Sequence, residues 1–468
     1  MTDAARPVDP RLIAAIVASA MFMQNLDSTV VATALPAMAR DLGEEPARLS
    51  AAITSYLVAL TVFIPISGWV ADRFGAKRVF MIAIVIFTIA SALCAQAQGL
   101  GSLIAFRVLQ GMGGAMMVPV GRLLLLRRIP KSEMITAMTW LTMPALLGPV
   151  SGPPIGGFLT DMFGWRSVFL INLPIGVLGL AMVAWKIPRM PPEDPGRLDA
   201  SGMALVGAAL ALLMCGLETI GRGVIPRPVP EVALAAGLVL GVLAVRHCLN
   251  TSRPAVDFGL LAIPTFRSPA IPGSVFRAGA SATPFLIPMM LQLAFGASAT
   301  QSGLISFATS LGAFAMKPLV RPVLRGQGFR RVLLVNGALS AVLVGAIGLV
   351  SASWPLAAIF ALLALGGLAR SLQFTSLNTL AFADIAPGRM AAATSFYGTT
   401  QQLSPALGVV LASAALEASS AIAGRHALVQ ADFAWAFVVA ALVMAVALPW
   451  HARLSRDAGA TVSGHSGN

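Results

Sequence analysis

Charged residues are scarce in this 468-residue chain, at 11% of the total against 57% hydrophobic residues. The surface of a soluble domain is usually about a quarter charged, so this composition excludes a soluble globular protein. Apolar runs recur along the chain, and many reach the ~20 residues that cross a hydrocarbon core. The sequence therefore predicts an all-α membrane protein with many spans.

Cysteine and histidine are also rare, with three and four copies. Cys94, Cys215 and Cys248 are odd in number and lie in or beside apolar runs, which disfavours a disulfide framework. No close Cys/His spacing is present, so no metal site is expected. The sequence also lacks a G-x-x-x-x-G-K-[ST] phosphate loop and a convergent set of nucleophile and base, so neither ATP-driven transport nor an enzyme is predicted.

Acidic residues number only 19 against 32 basic ones, for a net charge of +13. The basic residues lie in short loops rather than in one domain, so nucleic acid is not an expected partner. The apolar runs predict fourteen transmembrane helices, at 12–36, 50–71, 79–98, 101–125, 134–160, 165–185, 201–220, 231–249, 269–294, 300–323, 331–352, 354–374, 389–418 and 431–451. The first run is too long for a signal peptide and is predicted to be retained.

The loop charges alternate along this series of helices. One set of loops holds Arg73, Lys77, Arg78, Arg127, Arg128, Lys131, Lys186, Arg189, Arg197, Arg246, Arg253, Arg267, Arg321, Arg325, Arg330 and Arg331. The other set holds Arg40, Arg48, Arg166, Arg222, Arg227 and Arg425. Since basic loops stay in the cytoplasm, we expect both termini there.

An internal repeat relates the two halves of the chain. The segment beginning "GEEPARLSAAITSYLV" aligns without gaps on "GASATQSGLISFATSL", which pairs Gly43 with Gly296, Pro65 with Pro318, Gly75 with Gly328, and Lys77-Arg78 with Arg330-Arg331. Parallel repeats of this kind build one large transporter fold. The predicted organisation is a six-helix half at 12–185, a cytoplasmic linker at 186–200, an inserted helix pair at 201–249, a second six-helix half at 269–451 and a cytoplasmic tail at 452–468.

Three motifs make a family resemblance specific. The loop "GWVADRFGAKRV" resembles the signature loop of the major facilitator superfamily, with its gating residues at Gly68, Asp72, Arg73, Gly75, Lys77 and Arg78. Gly75 can adopt a positive φ in a tight turn. Asp72 can cap the N-terminus of a neighbouring helix, and this contact would act as a latch if it formed in only one conformation. Arg325 stands at the place of Asp72 in the second copy, so the latch is not symmetric.

The fourth and fifth helices carry the other two motifs. Arg107 resembles the superfamily's fourth-helix arginine, which is linked to proton transfer, whereas Arg122 is expected to snorkel to the interface. In "LLGPVSGPPIGGF" the glycines recur every four residues and form a small-residue seam. This seam resembles the pattern of antiporters within the superfamily and comprises Gly148, Pro149, Gly152, Pro153, Gly156 and Gly157.

The first helix, with "LDSTVVATALP", resembles the fourteen-span drug:proton antiporter branch, and the chain is most similar there to the MdtD-like group of bacterial exporters. The resemblance implies the major facilitator fold, namely two six-helix halves plus two inserted helices. It also implies a multi-pass protein of the bacterial inner membrane that exchanges a small organic compound for protons. No cofactor beyond the proton gradient is expected. The expected partners are the substrate and the bilayer, with a monomeric chain; an accessory periplasmic partner stays open.

Ionisable residues inside a membrane are functional candidates. In the superfamily fold, spans 1, 4, 9 and 12 line the central cavity, and here they carry Asp27, Arg107, Arg277 and Arg370. Polar substrate-binding candidates are Gln24, Asn25, Tyr56, Gln110, Gln373, Asn378 and Gln401. Glu218 is expected outside the cavity, and Lys317 to snorkel at a cytoplasmic end. A single acid among three arginines favours anionic or neutral substrates. Three hypotheses about function stay open: a drug exporter, an organic-anion exporter and a proton-coupled importer.

Overall fold

A computed structural model describes residues 10–44, 46–49, 51–188, 190–220, 226, 228–297, 299–425 and 428–465. Arg189, Arg222 and Arg227, which contribute to the predicted orientation, lie outside these ranges. The chain divides into two compact units. Unit 1 comprises Met1–Ile129, Trp140–Phe258 and Ala386–Thr399, and unit 2 comprises Pro130–Thr139, Gly259–Ile385 and Thr400–Asn468.

Helices α1 to α11 follow one another from the N-terminus. They are α1 (Pro10–Leu42), α2 (Pro46–Leu49), α3 (Ala51–Phe63), α4 (Ser67–Phe74), α5 (Ala76–Ala95), α6 (Leu100–Leu126), α7 (Met134–Phe163), α8 (Ser167–Leu170), α9 (Asn172–Lys186), α10 (Ala200–Thr219) and α11 (Val229–Asn250), with a short 3-10 turn at Lys131–Glu133 before α7. In unit 1, α6 packs between α3 and α5, while α1 packs on α6 and α9. Helices α10 and α11 pack on each other, and α10 also contacts α3.

Helices α12 to α21 complete the chain. They are α12 (Pro264–Ala270), α13 (Pro272–Ser281), α14 (Thr283–Met289), α15 (Ala299–Ala315), α16 (Val320–Ile347), α17 (Leu356–Leu380), α18 (Met390–Ile422), α19 (Gln430–Val446), α20 (Leu448–His451) and α21 (Ala460–Ser463). A π-helical turn at Met290–Ala294 follows α14. In unit 2, α17 packs on α15 and α16, and α19 packs on α13 and α16.

Ten helical segments of the described residues are long and apolar enough to cross a membrane, and the pair α3 and α4, bent by 58°, forms an eleventh if it counts as one span. The longest segment, Gln301–Ile347, covers two of the predicted spans. It is divided at Gly328, where φ is 69° and ψ is 163°. The all-helical membrane fold is confirmed, and the number fourteen stays a prediction.

Two predicted spans are broken where proline removes a backbone donor. The predicted helix 50–71 separates into α3 and α4 around Pro65. The predicted helix 269–294 separates into α13, α14 and the π-helical turn, with Pro272 and Pro284 near the starts of α13 and α14. Hydropathy alone registers each as one apolar run, because it does not count missing hydrogen bonds.

The internal repeat is visible in the backbone conformation as well as in the sequence. Gly43 and Gly296 have φ of 65° and 67°, and Gly75 and Gly328 have φ of 85° and 69°. Only glycine adopts this left-handed region without steric cost. The paired glycines therefore end one helix and start the next at equivalent places in both copies.

The start of α10 is held by a local network around Asp199. Its carboxylate accepts a hydrogen bond from the Gly202 N–H at 2.8 Å and contacts His247 Nε2 at 2.9 Å. Burial raises the pKa of Asp199, but the hydrogen bonds from His247, Gly202 and Ala255 outweigh it, so the pKa lies below its ordinary value. Asp199 is thus an N-cap that also ties α10 to α11.

Candidate functional site

Asp27 lies at the centre of a buried polar cluster in unit 1. Its Oδ2 atom is 2.6 Å from Arg107 Nη1, and neither side chain is exposed. Asp27 comes from the middle of α1 and Arg107 from the first half of α6. A buried ion pair of this geometry is stabilising only when the remaining lone pairs and protons also find partners.

The second oxygen of Asp27 is held by two amides. Gln110 Nε2 and Asn172 Nδ2 each donate to Oδ1 at 2.8 Å. Gln110 lies one turn after Arg107 on α6, so both side chains share one helical face, while Asn172 is the first residue of α9. Both amides also reach Ser91 Oγ on α5, at 2.8 and 3.3 Å. Three helices, α1, α6 and α9, therefore meet at one carboxylate, and α5 joins the cluster through Ser91.

The guanidinium of Arg107 has further contacts. Its Nε donates to the Ala52 carbonyl oxygen at 3.1 Å, and its Cζ lies 4.3 Å from the centre of the Tyr56 ring. Cation–π contact of this kind gains strength when water is excluded. Arg107 Nη2, Tyr56 Oη and Asn172 Oδ1 have no hydrogen-bond partner in the described part of the chain. The cluster therefore keeps unused polar atoms beside its ion pair.

Protonation of Asp27 would change this cluster as a whole. A neutral carboxyl no longer balances Arg107, which would leave a buried guanidinium without a counter-charge. Breaking a buried pair by removing one partner typically costs about 3–5 kcal/mol. Asp27 and Arg107 therefore depend on each other for a counter-charge.

The predicted Gly/Pro seam of α7 lies directly against α1. A methyl group at Gly148 would sit 2.7 Å from Asn25 Cβ, and one at Gly152 or Gly156 would overlap the hydroxyls of Thr29 or Thr33. At Gly157, by contrast, no described atom lies within 4 Å of such a group. Pro149 and Pro153 lie within α7, and their side chains are outside the description. Three of the seam glycines hence let α7 approach α1 next to Asp27.

The signature loop makes its contacts inside unit 1. Asp72 Oδ1 is 2.7 Å from Arg127 Nη2, and the same nitrogen is 3.1 Å from Glu193 Oε1. The Glu193 N–H donates to the Asp72 carbonyl oxygen at 2.8 Å. The ion pair with Arg127 at the end of α6 gives Asp72 a partner other than the helix N-terminus that the sequence suggested.

The other loop residues divide between buried and exposed positions. A methyl group at Gly68 would lie 2.6 Å from the Ala391 carbonyl oxygen, so this glycine permits close backbone approach. Lys77 Nζ donates to the Ala184 carbonyl oxygen at 2.9 Å. Arg73 and Arg78 are exposed. Gly75 has the positive φ that its place between α4 and α5 required.

Arg122 and Lys317 do not snorkel. Arg122 is 3% exposed, and its Cζ lies 5.7 Å from the centre of the Tyr397 ring within unit 1. Lys317 is 5% exposed, and its Nζ donates to Thr375 Oγ1 at 3.3 Å within unit 2. Both expectations were wrong because neighbouring helices enclose these side chains before they reach a membrane surface.

Unit 2 holds a second polar group around Arg277. Its Nη2 donates to Asn378 Oδ1 at 2.8 Å, and Gln401 Nε2 donates to the same oxygen at 2.6 Å. Arg277 Cζ lies 4.8 Å from the centre of the Phe374 ring. Three predicted site residues, Arg277, Asn378 and Gln401, are therefore brought together.

Gln373 has a structural position in unit 2. It accepts a hydrogen bond from Asn336 Nδ2 at 2.9 Å and donates to the Leu333 carbonyl oxygen at 3.1 Å. The amide thereby ties α17 to α16. The amide of Gln373 therefore finds its hydrogen-bond partners within the protein, without a ligand.

Arg370 lies on α17 one turn before Phe374 and lines a small cavity inside unit 2. Asp27 and Arg107 are thus joined in unit 1, while Arg277 and Arg370 belong to unit 2. A cavity shared by all four stays a prediction. Gln24 and Asn25 lie on α1 beside Asp27, and Asn25 Nδ2 donates back to the Met21 carbonyl oxygen at 2.8 Å.

Sequence reasoning missed Asn172 and Ser91. Asn172 is an isolated amide at the start of an apolar helix, which is a signal of the same kind that selected Gln110. Ser91 gives no such signal, since serine is common in membrane helices as helix-packing glue.

Known proteins match this chain along nearly its whole length. The sequence profile of the Major Facilitator Superfamily matches residues 17–266 and 270–465. A protein named "Putative multidrug resistance protein MdtD" from Pectobacterium carotovorum subsp. carotovorum (strain PC1) is 37% identical over 404 residues, covering 85% of each chain. The protein of the same name from Yersinia enterocolitica serotype O:8 is 36% identical over 459 residues, covering 95% of each chain.

A solved structure extends the likeness to the backbone. The crystal structure of the human organic anion transporter MFSD10 (TETRAN) matches with a TM-score of 0.70 and 15% identity. The match covers 95% of this chain and 99% of the other. At this identity the likeness shows the fold alone.

Proposed function

Because the chain belongs to the major facilitator superfamily, and is therefore a multi-pass inner-membrane transporter and not an enzyme, we propose that it exports a small organic compound in exchange for protons. The similarity to these relatives confirms the family that the motifs indicated. Their name, a multidrug resistance protein, supports drugs as the first substrate class to test.

The buried Asp27–Arg107 pair carries the proposal of proton coupling. Asp27 is the one acid of α1 within its candidate span, Leu12–Val31. A carboxylate is an expensive residue at membrane depth unless it has a function. Here it is bound by three side chains that all stabilise the charged form, so a proton and those donors compete for the same two oxygens.

The coupling follows from that competition. With Asp27 charged, α1, α6 and α9 are tied together through the carboxylate. With Asp27 protonated, Arg107 needs another counter-charge, and a rearranged set of helices becomes more favourable. The close seam between α7 and α1 transmits a shift of α1 to the neighbouring helix. The energy source is the proton gradient, without a bound cofactor.

We further propose that both termini face the cytoplasm and that the chain acts as a monomer. The loop charges support the orientation, since the basic loops alternate with less basic ones. In this orientation, export moves substrate outward while protons move inward.

Inverted membrane vesicles test the proposal. Acidifying their interior should drive uptake of a transported drug, and Asp27→Asn should abolish the pH dependence of that uptake. Asp41→Asn is the matched control, because Asp41 lies on the same helix but pairs with Arg166 at the exposed end. Uptake by Asp27→Asn with an unchanged pH profile would refute the proton role of Asp27.

A second candidate is export of an organic anion or carboxylate metabolite. Two buried or partly buried arginines, Arg277 and Arg370, lie in unit 2 and support this alternative. If organic anions but no lipophilic cations compete for uptake into the vesicles, the second candidate replaces the first. Uptake driven by an acid exterior would instead favour a proton-coupled importer, against which the antiporter-like seam argues.

A further inference from the structure

The small cavity inside unit 2 has an unusual lining. It is enclosed by helices α13 to α17 and α19, and its lining residues are Ala280, Thr283, Thr309, Ser340, Val344, Ile347, Leu363, Gly366, Arg370 and Met444. No acidic residue is among them. The walls are mostly apolar, with one guanidinium and three hydroxyls.

The side chain of Arg370 has no ion pair and no hydrogen bond in the described part of the chain. An arginine side chain stays charged in proteins, so it cannot lower its free energy by losing a proton. A charge among apolar walls is costly unless an opposite charge or several polar groups meet it. The position thus calls for a negative partner.

Two hydroxyls of the same cavity are likewise unused. Thr283 Oγ1 and Ser340 Oγ are buried without a hydrogen-bond partner in the described residues. Their side chains are 5% and 2% exposed. Each hydroxyl donates one hydrogen bond, so the cavity offers two neutral donors beside one charged fork of donors.

We propose that this cavity binds a small monovalent anion, held by the Arg370 guanidinium and the hydroxyls of Thr283 and Ser340. Apolar walls strengthen the attraction, because an ion pair gains energy as the local dielectric constant falls. The chemistry fits a free halide ion or the carboxylate head of an organic acid. The site lies wholly within unit 2 and does not depend on proton exchange at Asp27.

Anion binding to the purified full-length protein tests this inference. The thermal unfolding midpoint is measured against sodium bromide at constant ionic strength, set with sulfate. We expect a saturable rise for the wild type. Since a hydrogen bond to a charged group contributes about 1.5–3 kcal/mol, Arg370→Gln should raise the half-saturating bromide concentration by about 10-fold or more.

Two variants make the comparison specific. The double variant Thr283→Val, Ser340→Ala should also raise the half-saturating bromide concentration by about 10-fold or more, since a hydroxyl that donates to an anion also forms a hydrogen bond to a charged group. Arg456→Gln is the control, because Arg456 is exposed on the segment after α20 and should leave the midpoint curve unchanged. An equal half-saturating concentration in Arg370→Gln and Arg456→Gln would overturn the proposal, as would the absence of a saturable response in the wild type.

Benzoate distinguishes the two sources of the anion. Competition between benzoate and bromide would identify the carboxylate head of an organic acid as a ligand, whereas a response to bromide alone would identify a free halide. If Arg370→Gln fails to fold, anomalous scattering from bromide in wild-type crystals decides. A bromide peak beside the guanidinium supports the site, and crystals grown in bromide without such a peak refute it.

Discussion

The strongest structural prediction concerns the coupling between Asp27 and Arg107. Asp27→Asn removes the charge and one of two acceptor oxygens, while Arg107→Gln removes the charge on the other side. In either variant a buried charge loses its partner, and we expect a loss of about 3–5 kcal/mol in the free energy of unfolding. In the double variant neither charge remains.

The double variant should therefore lower the free energy of unfolding by less than the sum of the two single variants. Residues that share one buried network typically show an interaction energy of about 0.5–3 kcal/mol, and we expect the upper part of that range because neither side chain of the pair is exposed. Reversible unfolding in mixed micelles measures all members of the cycle.

A second double-mutant cycle, whose acidic residue lies on the same helix as Asp27, is the control. Asp41 and Arg166 are also 2.6 Å apart, but their side chains are 46% and 45% exposed. Solvent screens such a pair, so its coupling should be clearly smaller than that of Asp27 and Arg107. Strict additivity of Asp27→Asn and Arg107→Gln would refute the buried pair as a coupled unit.

Three further predictions concern close packing, the backbone and pH. Gly152→Ala should lower the free energy of unfolding by about 1–3 kcal/mol through overlap with α1, and it should reduce transport. Gly157→Ala should do neither, because no described atom lies close to this glycine. Equal effects of the two variants would contradict close packing at the seam. Gly75→Ala should cost about 1–2 kcal/mol from its positive φ, measured by unfolding; a neutral result would show that the turn adapts. Asp199→Ala should cost about 0.5–2 kcal/mol as a lost N-cap. Because the pKa of Asp199 is lowered in the folded protein, its contribution is present above the unfolded pKa of about 3.9 and is lost as pH falls through the lower folded value. A contribution that instead declines between neutral pH and pH ~5 would contradict this sign.

The sequence by itself determined the class of this protein and the places where its backbone turns. Apolar length sets the membrane helices, because a backbone in lipid must satisfy its hydrogen bonds within the helix. Glycine at Gly43 and Gly75 and at their counterparts in the second copy sets the turns, because only glycine takes a positive φ freely. Asp27 could also be recognised from the sequence, because a charged residue inside an apolar run is apparent from its immediate neighbours.

Only the tertiary structure shows which side chains contact the candidate site residues. Asp27 meets Arg107, Gln110 and Asn172 across up to 145 positions of sequence. Asn172 stood out in the sequence only as an isolated amide, and nothing there placed it beside Asp27. Arg122 and Lys317 looked like interfacial side chains until neighbouring helices were placed around them. Thr283, Ser340 and Arg370 converge on one cavity only through the packing of several helices. Periodicity specifies which residues share one helix face, but the rotation and approach of two helices depend on packing between distant segments, and those contacts turn isolated charges into sites.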